Sequence, residues 1–395
     1  MPMAELVVAQ EASSSCGDCP DTSMDNSTLA PEASVTSSTT TRDAEYFRSD
    51  GDSVFLVDGV TFKIHSFLVG RDGSAFEDMF TLPNKGEMAI RGSEDDPIEL
   101  HGDTADQFRA LCWALYALPT EIQTQATTDI NLPRMLDIAE MANKYHFRSF
   151  EKWSMDMISK YCLRNRKSSK EHLSTCPPEV IARVLRLTVL CHRQTFQAQV
   201  ERIWISRLGS SDTASFSHAI EVADSFGLRD FQGHAYYHQL LAMSSDVTPG
   251  AGGIATAFEH PSLNNVQLTR LLSGYWSLTM FWARFAEHGV SIPAASGCDA
   301  ARHHPNVCVK AWEGRWAEAV RSEKVLTSPP CDVLGKCRTL QAILGSDSVS
   351  HGWANAQCRR NALQALQETF DELQEALADH FLGPPKDDAP DETME

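Results

Sequence analysis

"DSVFLVDGVTFKIHSFLVGRDGSAFEDMF", residues Asp52 to Phe80, changes its period halfway along. Val54, Leu56, Val60, Phe62 and Ile64 alternate around Asp58-Gly59, a pair that tolerates the positive φ of a type I′ turn, so this half predicts a β-hairpin. Past His65 the apolar residues recur every three or four positions, and Ser66 and Ser74 stand where N-caps belong. Two short helices follow from this, carrying Phe67-Leu68 and Phe76-Met79-Phe80. The histidine at the joint lies beside Ile64, Phe67 and Leu68, with no orienting partner in the local sequence. It fits a buried, hydrogen-bonded residue better than a general base.

Working outward, a third short strand is expected at "PIEL" after the polar loop "RGSEDD", and Asp103-Thr104 can start a helix with Phe108, Leu111, Cys112 and Leu115 on one stripe. Pro133 suits the first turn of the next helix, and Phe150, Trp153 and Met157 mark another. Upstream, residues 1–44 are rich in Ser, Thr and acidic groups and predict a disordered leader; "GPPKDDAPDETME", residues 383–395, predicts an acidic disordered tail. From Pro177 onward the pattern is helical, beginning with "PPEVIARVLRLTVLCHRQTFQAQVERIWISRL". Further helices are expected over Ser215 to Met243, Leu263 to His288, Val307 to Leu326, Val333 to Leu344 and Trp353 to Phe381. The expected organisation is α+β: a mixed unit over 45–165, then an all-α unit over 166–382.

Two segments align without gaps, "AEMANKYHFRSFEKW" from Ala139 and "IEVADSFGLRDFQGH" from Ile220. Each suggests a helix, a tight turn and a second helix whose first aromatic closes the corner. The pattern is generic enough that a duplication and two unrelated helix hairpins stay equally open.

The order of hairpin, short helix pair, short strand and helix hairpins resembles the BTB/POZ domain. The residues that carry this are "DSVFLVDGVTFKIHSFLV", "SAFEDMF", "PIELHGDTADQFRALCWALY" and "MLDIAEMANKYHF", within Tyr46 to Leu163. With "RDAEYFRSDGDSVFLVDG" ahead and a long helical region behind, the chain resembles the BTB proteins common in basidiomycete fungi. The resemblance implies a protein-interaction module that self-associates through its first helix and the strand preceding it. It also implies that the histidine matching His65 is packed inside the domain as a structural joint, with Asp52 as the matching aspartate. Corepressor-binding relatives carry a basic residue directly after the histidine, where this chain has Ser66. Cullin-binding relatives often carry an apolar-x-Glu triplet, where this chain reads "TLPNKGEMAIRG". The alternative within the binding class is a substrate adaptor for a cullin-type ubiquitin ligase, whose cullin contact would use Phe76, Phe80 and Leu82.

The net charge of -19 opposes contact with phosphate backbones, which disfavours a nucleic-acid-binding role. No apolar stretch reaches the length of a membrane span, and "MPMAELVVAQ" lacks the basic flank of a signal peptide. Eleven cysteines at irregular spacings fit free thiols in a reducing compartment, so cytoplasm or nucleus is expected. The short basic run "RNRKSSK" could serve nuclear import, but cations at a helix C-terminus explain it more simply.

The sequence contains no phosphate loop, no dinucleotide fingerprint, no nucleophile elbow and no H-E-x-x-H helix. With a binding fold as the expectation, the chain reads as a non-enzyme that needs no cofactor and no small-molecule substrate. Cys16 and Cys19 form a lone C-x-x-C, half of what zinc wants. Cys298, His303, His304 and Cys308, with Cys331 or Cys337 to complete the set, could approach tetrahedral zinc geometry. The spacing matches no standard framework, and polar loop histidines with buried thiols explain it more simply. A zinc-dependent enzyme or regulator is therefore the alternative from another class. Leu363, Leu366, Phe370, Leu373 and Leu377 form a short seam expected to pack within the chain; Trp312 with Trp316, and Trp276 with Trp282, are expected in the core. The partners expected are a second copy of the chain and another protein.

Overall fold

The computed structural model describes residues 40–81, 92–126, 130–163, 172–210, 216–245, 262–346 and 355–385. The hairpin is present: β2 (Ser53–Val57) and β3 (Val60–Ile64) run antiparallel, with Phe55 opposite Phe62. Asp58 and Gly59 both take positive φ, 50° and 73°, which is the I′ geometry. β1 (Thr41–Phe47) adds in parallel to β3, and β4 (Ile98–Leu100) in parallel to β2, so the sheet order is β1-β3-β2-β4.

β1 thus starts at Thr41, inside the stretch expected as leader. The reason is Asp43, whose side chain is 2% exposed and accepts hydrogen bonds from the N–H groups of Glu45 and Tyr46 and from Arg109. A short polar strand with one satisfied buried carboxylate docks where a Ser/Thr count sees only polarity.

α1 (Ser66–Val69) and α2 (Ala75–Thr81) follow the hairpin. Ser74 caps α2 as expected, accepting from the Glu77 N–H, whereas Ser66 lies inside α1 and the carboxylate of Asp52 takes the capping role. α3 (Ala105–Tyr116) opens on a Thr104–Gln107 capping box, and α4 (Pro119–Thr124) precedes α5 (Leu132–Lys144) and α6 (Arg148–Cys162). Phe55, Phe62, Ile64, Phe76, Phe108 and Phe147 form the core between sheet and helices.

The helical part comprises α7 (Pro178–Leu190), α8 (Gln194–Leu208), α9 (Phe216–Phe226), α10 (Arg229–Ser245) and α11 (Asn265–His288). A π-helix, His304–Val309, runs into α12 (Lys310–Val320), followed by α13 (Glu323–Leu326), α14 (Val333–Ser346), α15 (Ala356–Glu375) and α16 (Asp379–Leu382). Among the described residues every strand precedes α3.

The change of composition near residue 165 is not a gap in packing. Ala110 and Ala114 of α3 and Met135, Leu136 and Ala139 of α5 share one core with Ile181, Val184 and Leu185 of α7. Arg183 of α7 reinforces the contact by reaching Asp137 and Glu140 of α5 at 2.5 and 2.6 Å.

Both aligned segments are helix hairpins, and a third lies between them. His146, His192 and Gly227 take the left-handed conformation, with φ of 63°, 53° and 60°. The next residue's N–H reaches back five positions each time: Phe147 to Ala142, Arg193 to Thr188 and Leu228 to Ala223. This is the Schellman corner, and a phenylalanine (Phe150, Phe196 or Phe231) follows three residues later. The helical segment that starts at Pro177 therefore divides at His192 into α7 and α8.

Of the tryptophans, Trp312 and Trp316 are buried, and Trp282 is partly buried against the core. Trp276 is 68% exposed, contrary to expectation, because its face of α11 has no helix against it among the described residues. Leu366, Phe370, Leu373 and Leu377 pack within the chain.

Two outcomes are expected. The Asp43 carboxyl is held below its ordinary value of 3.8: burial raises it, but the Tyr46 N–H, Arg109 and the Glu45 N–H together outweigh burial. Its stabilisation is present above that ordinary value and lost as pH falls below it. Asp43→Asn should cost about 1–3 kcal/mol in chemical denaturation at neutral pH, with a deficit that shrinks in acid; a deficit independent of pH would contradict this. His192 is exposed, so His192→Gly removes the strain of its left-handed conformation without removing a packed side chain. The unfolding free energy should rise, by no more than about 1 kcal/mol, with a matching rise of the denaturant midpoint.

Candidate functional site

His65 leaves β3 in an extended conformation and occupies the N-cap position of α1. Its Nδ1 lies 2.7 Å from the Tyr116 hydroxyl, and its backbone N–H donates to the same oxygen at 3.0 Å. Because that oxygen accepts from the backbone, the phenolic proton is free to be given to Nδ1, which leaves the imidazole proton on Nε2 facing Asp50 at 3.4 Å. Burial raises the Tyr116 phenol above its ordinary value and keeps it a donor. The histidine thus has partners the local sequence did not display, one of them 51 residues away. They tie strand, helix and α3 together, with the ring half-buried rather than packed fully inside as expected.

Asp52 accepts from the backbone N–H of Ser66 at 2.6 Å and from its hydroxyl at 2.7 Å. The aspartate is therefore answered by a neutral donor at the position where a cation would have made a charged pocket.

The three residues assigned to a partner contact separate. Phe76 is 3% exposed, edge-on to Phe55 and stacked on Tyr145, so it belongs to the core and cannot serve as a docking residue. Phe80 is partly buried against the same core. Leu82 lies outside the described residues, as do Cys16, Cys19 and "RNRKSSK".

The cysteine and histidine cluster converges, but with a different membership. Cys298, His304, Cys308 and Cys358 place their ligand atoms within 4.8 Å of one another. His304 Nδ1 is 3.8 Å from Cys298 Sγ and 3.5 Å from Cys358 Sγ. His303 is excluded: its side chain is 64% exposed and turns toward Asp299. Cys331 and Cys337 are buried elsewhere, Cys331 against Ser244 and Cys337 in the main helical core.

The local fold explains the convergence. The π-helix sets His304 and Cys308 four residues apart on one side, and π-turns are found disproportionately at functional sites. Cys358 sits in the first turn of α15, whose N-cap is Asn355. Burial opposes ionisation of the Cys358 thiol, yet the Ala295 N–H, Cys298, His304 and Cys308 together hold it below its ordinary value of 9.0. Cys298, pushed by desolvation and by the neighbouring Cys358 and Cys308, rises to about 12. Four soft and borderline donors facing one point can hold a thiophilic cation.

Comparison of the chain with protein-family models, curated proteins and solved structures gives no match. Among the described residues, no helix is long and apolar enough to cross a membrane.

Tyr116→Phe tests the joint. It removes both the acceptor for the His65 N–H and the donor to Nδ1, and should cost about 1–3 kcal/mol in denaturant unfolding. A neutral substitution would remove Tyr116 from the joint.

Proposed function

We propose that the chain is a protein-interaction module of BTB/POZ type, which pairs with a second copy through the sheet unit and takes another protein on its helical part. The observation that carries this reading is the outer face of α11. Leu272, Trp276 and Met280, one helical turn apart, are 50%, 68% and 37% exposed, and Val266 and Tyr275 are exposed elsewhere on the same helix. Large apolar side chains gathered on one helix face mark contact surfaces, and tryptophan is the residue most enriched among interface anchors. The groove continues past Phe281 and His380 to Arg284 and His288. An amphipathic partner helix suits it, its apolar side on the stripe and a carboxylate toward Arg284.

The self-association half rests on the order of elements, which agrees with the BTB/POZ pattern, and on two free features of the sheet unit. Phe67 on α1 is 68% exposed, and β1 is an edge strand. A second copy laid across α1 and β1 would cover both. The cullin-adaptor reading loses one of its three contact residues, since Phe76 is core.

Light scattering of the full chain at tens of micromolar should give a dimer mass, with Phe67→Glu shifting it to monomer; a wild-type monomer at every concentration would sink the pairing. Affinity purification with wild type and Trp276→Glu/Met280→Glu should differ by the loss of particular partners. An identical set retained by the variant would remove α11 as the docking face.

A further inference from the structure

We infer that Cys298, His304, Cys308 and Cys358 form a closed structural zinc site that fastens the segment 292–309 to the start of α15. A tetrahedral zinc with Zn–S about 2.3 Å and Zn–N about 2.0–2.1 Å requires ligand-to-ligand edges of about 3.5–3.8 Å. The two His304 Nδ1 to sulfur distances, 3.5 and 3.8 Å, are such edges.

The orientation of the imidazole points the same way. His304 Nε2 donates to the carbonyl oxygen of Ile292 at 2.9 Å, so the proton is on Nε2 and the Nδ1 lone pair faces the three sulfurs. A ligating histidine characteristically gives its other N–H to such an acceptor. Cys358 Sγ in turn accepts the backbone N–H of Ala295 at 3.5 Å, which fixes the sulfur at the cluster.

As packing the arrangement is slight beside the main helical core, which the segment joins at Ile292. Ala295, Cys308 and Cys358 form a small cluster apart from the two main cores, with Cys298 at its edge, too few apolar atoms to hold a loop of this length. One metal ion supplies what hydrophobic area does not. All four tetrahedral positions are filled by protein, and His304, Cys308 and Cys358 are buried, so the site is a clamp with no open coordination position for catalysis.

The test is metal analysis of the full chain purified under reducing conditions and equilibrated with zinc or cobalt(II). One equivalent per chain is expected, and cobalt should give the intense visible bands of a tetrahedral thiolate site. Cys308→Ser/Cys358→Ser should lose the equivalent, while His303→Ala and Cys337→Ser retain it. Should the double variant misfold, His304→Cys decides instead, since a four-thiolate site keeps zinc and shifts the cobalt charge-transfer absorption. A folded wild-type chain that takes up no equivalent, or a double variant that still does, overturns the assignment. So does a Cys308–Cys358 disulfide that persists under reducing conditions and leaves cobalt unbound.

Discussion

Helix α3 has to be buried on two sides at once. Phe108, Leu111, Cys112 and Leu115 face the sheet, while Ala110 and Ala114 face the helical core. Large side chains fill the space above a four-stranded sheet, and small ones allow α5 to approach closely on the other side. Two alanines at the close approach are a steric demand: a larger residue there would push α5 and everything stacked on it outward. The joint at His65 depends on the same helix, because Tyr116 at its end holds the histidine, and β1 depends on it through Arg109. Sheet, joint and helical stack all lean on this one element.

From α5 onward a simple device is repeated. A helix ends with one residue in the left-handed conformation, the following N–H returns five positions, and a phenylalanine closes the corner. Such a corner needs only a residue that tolerates positive φ, which is why histidine, histidine and glycine serve at the three places. Shared geometry of this kind follows from what a tight helical corner requires, and it does not by itself distinguish a duplicated segment from independent hairpins.

Much of this was legible in the residues. Alternation around Asp58-Gly59 gives the hairpin, Thr104 gives the start of α3, and helical periodicity gives most of the later helices, because each signal lies within a few positions along the chain. What failed depended on distant partners. Asp43 looks like one acid among many until Arg109 meets it, and Phe76 looks available for contact until Phe55 and Tyr145 enclose it. Trp276 shares its periodicity with buried tryptophans, and only the absence of a neighbouring helix among the described residues separates it from them. The corner at His192 hid inside an unbroken apolar pattern because histidine is not read as a helix terminator in the way glycine is.

The cysteine cluster shows where the reach of spacing ends. Cys298, His304 and Cys308 lie within one short segment and could be suspected, but the fourth member, Cys358, lies 54 residues from His304 and belongs to another helix. Neighbouring His303 competes on equal terms in the sequence, and it is eliminated only by the π-helix, which turns His304 inward and leaves His303 in solvent. The proposed clamp and the proposed docking stripe make compatible demands on the same helical stack. The exposed side of α11 carries Leu272, Trp276 and Met280, while Phe285 on its inner side packs edge-on to Trp316 of α12, just beyond the π-helix. A metal that fastened the π-helix to α15 would steady α12, and through it the backing that the proposed interface on the opposite face of α11 would require.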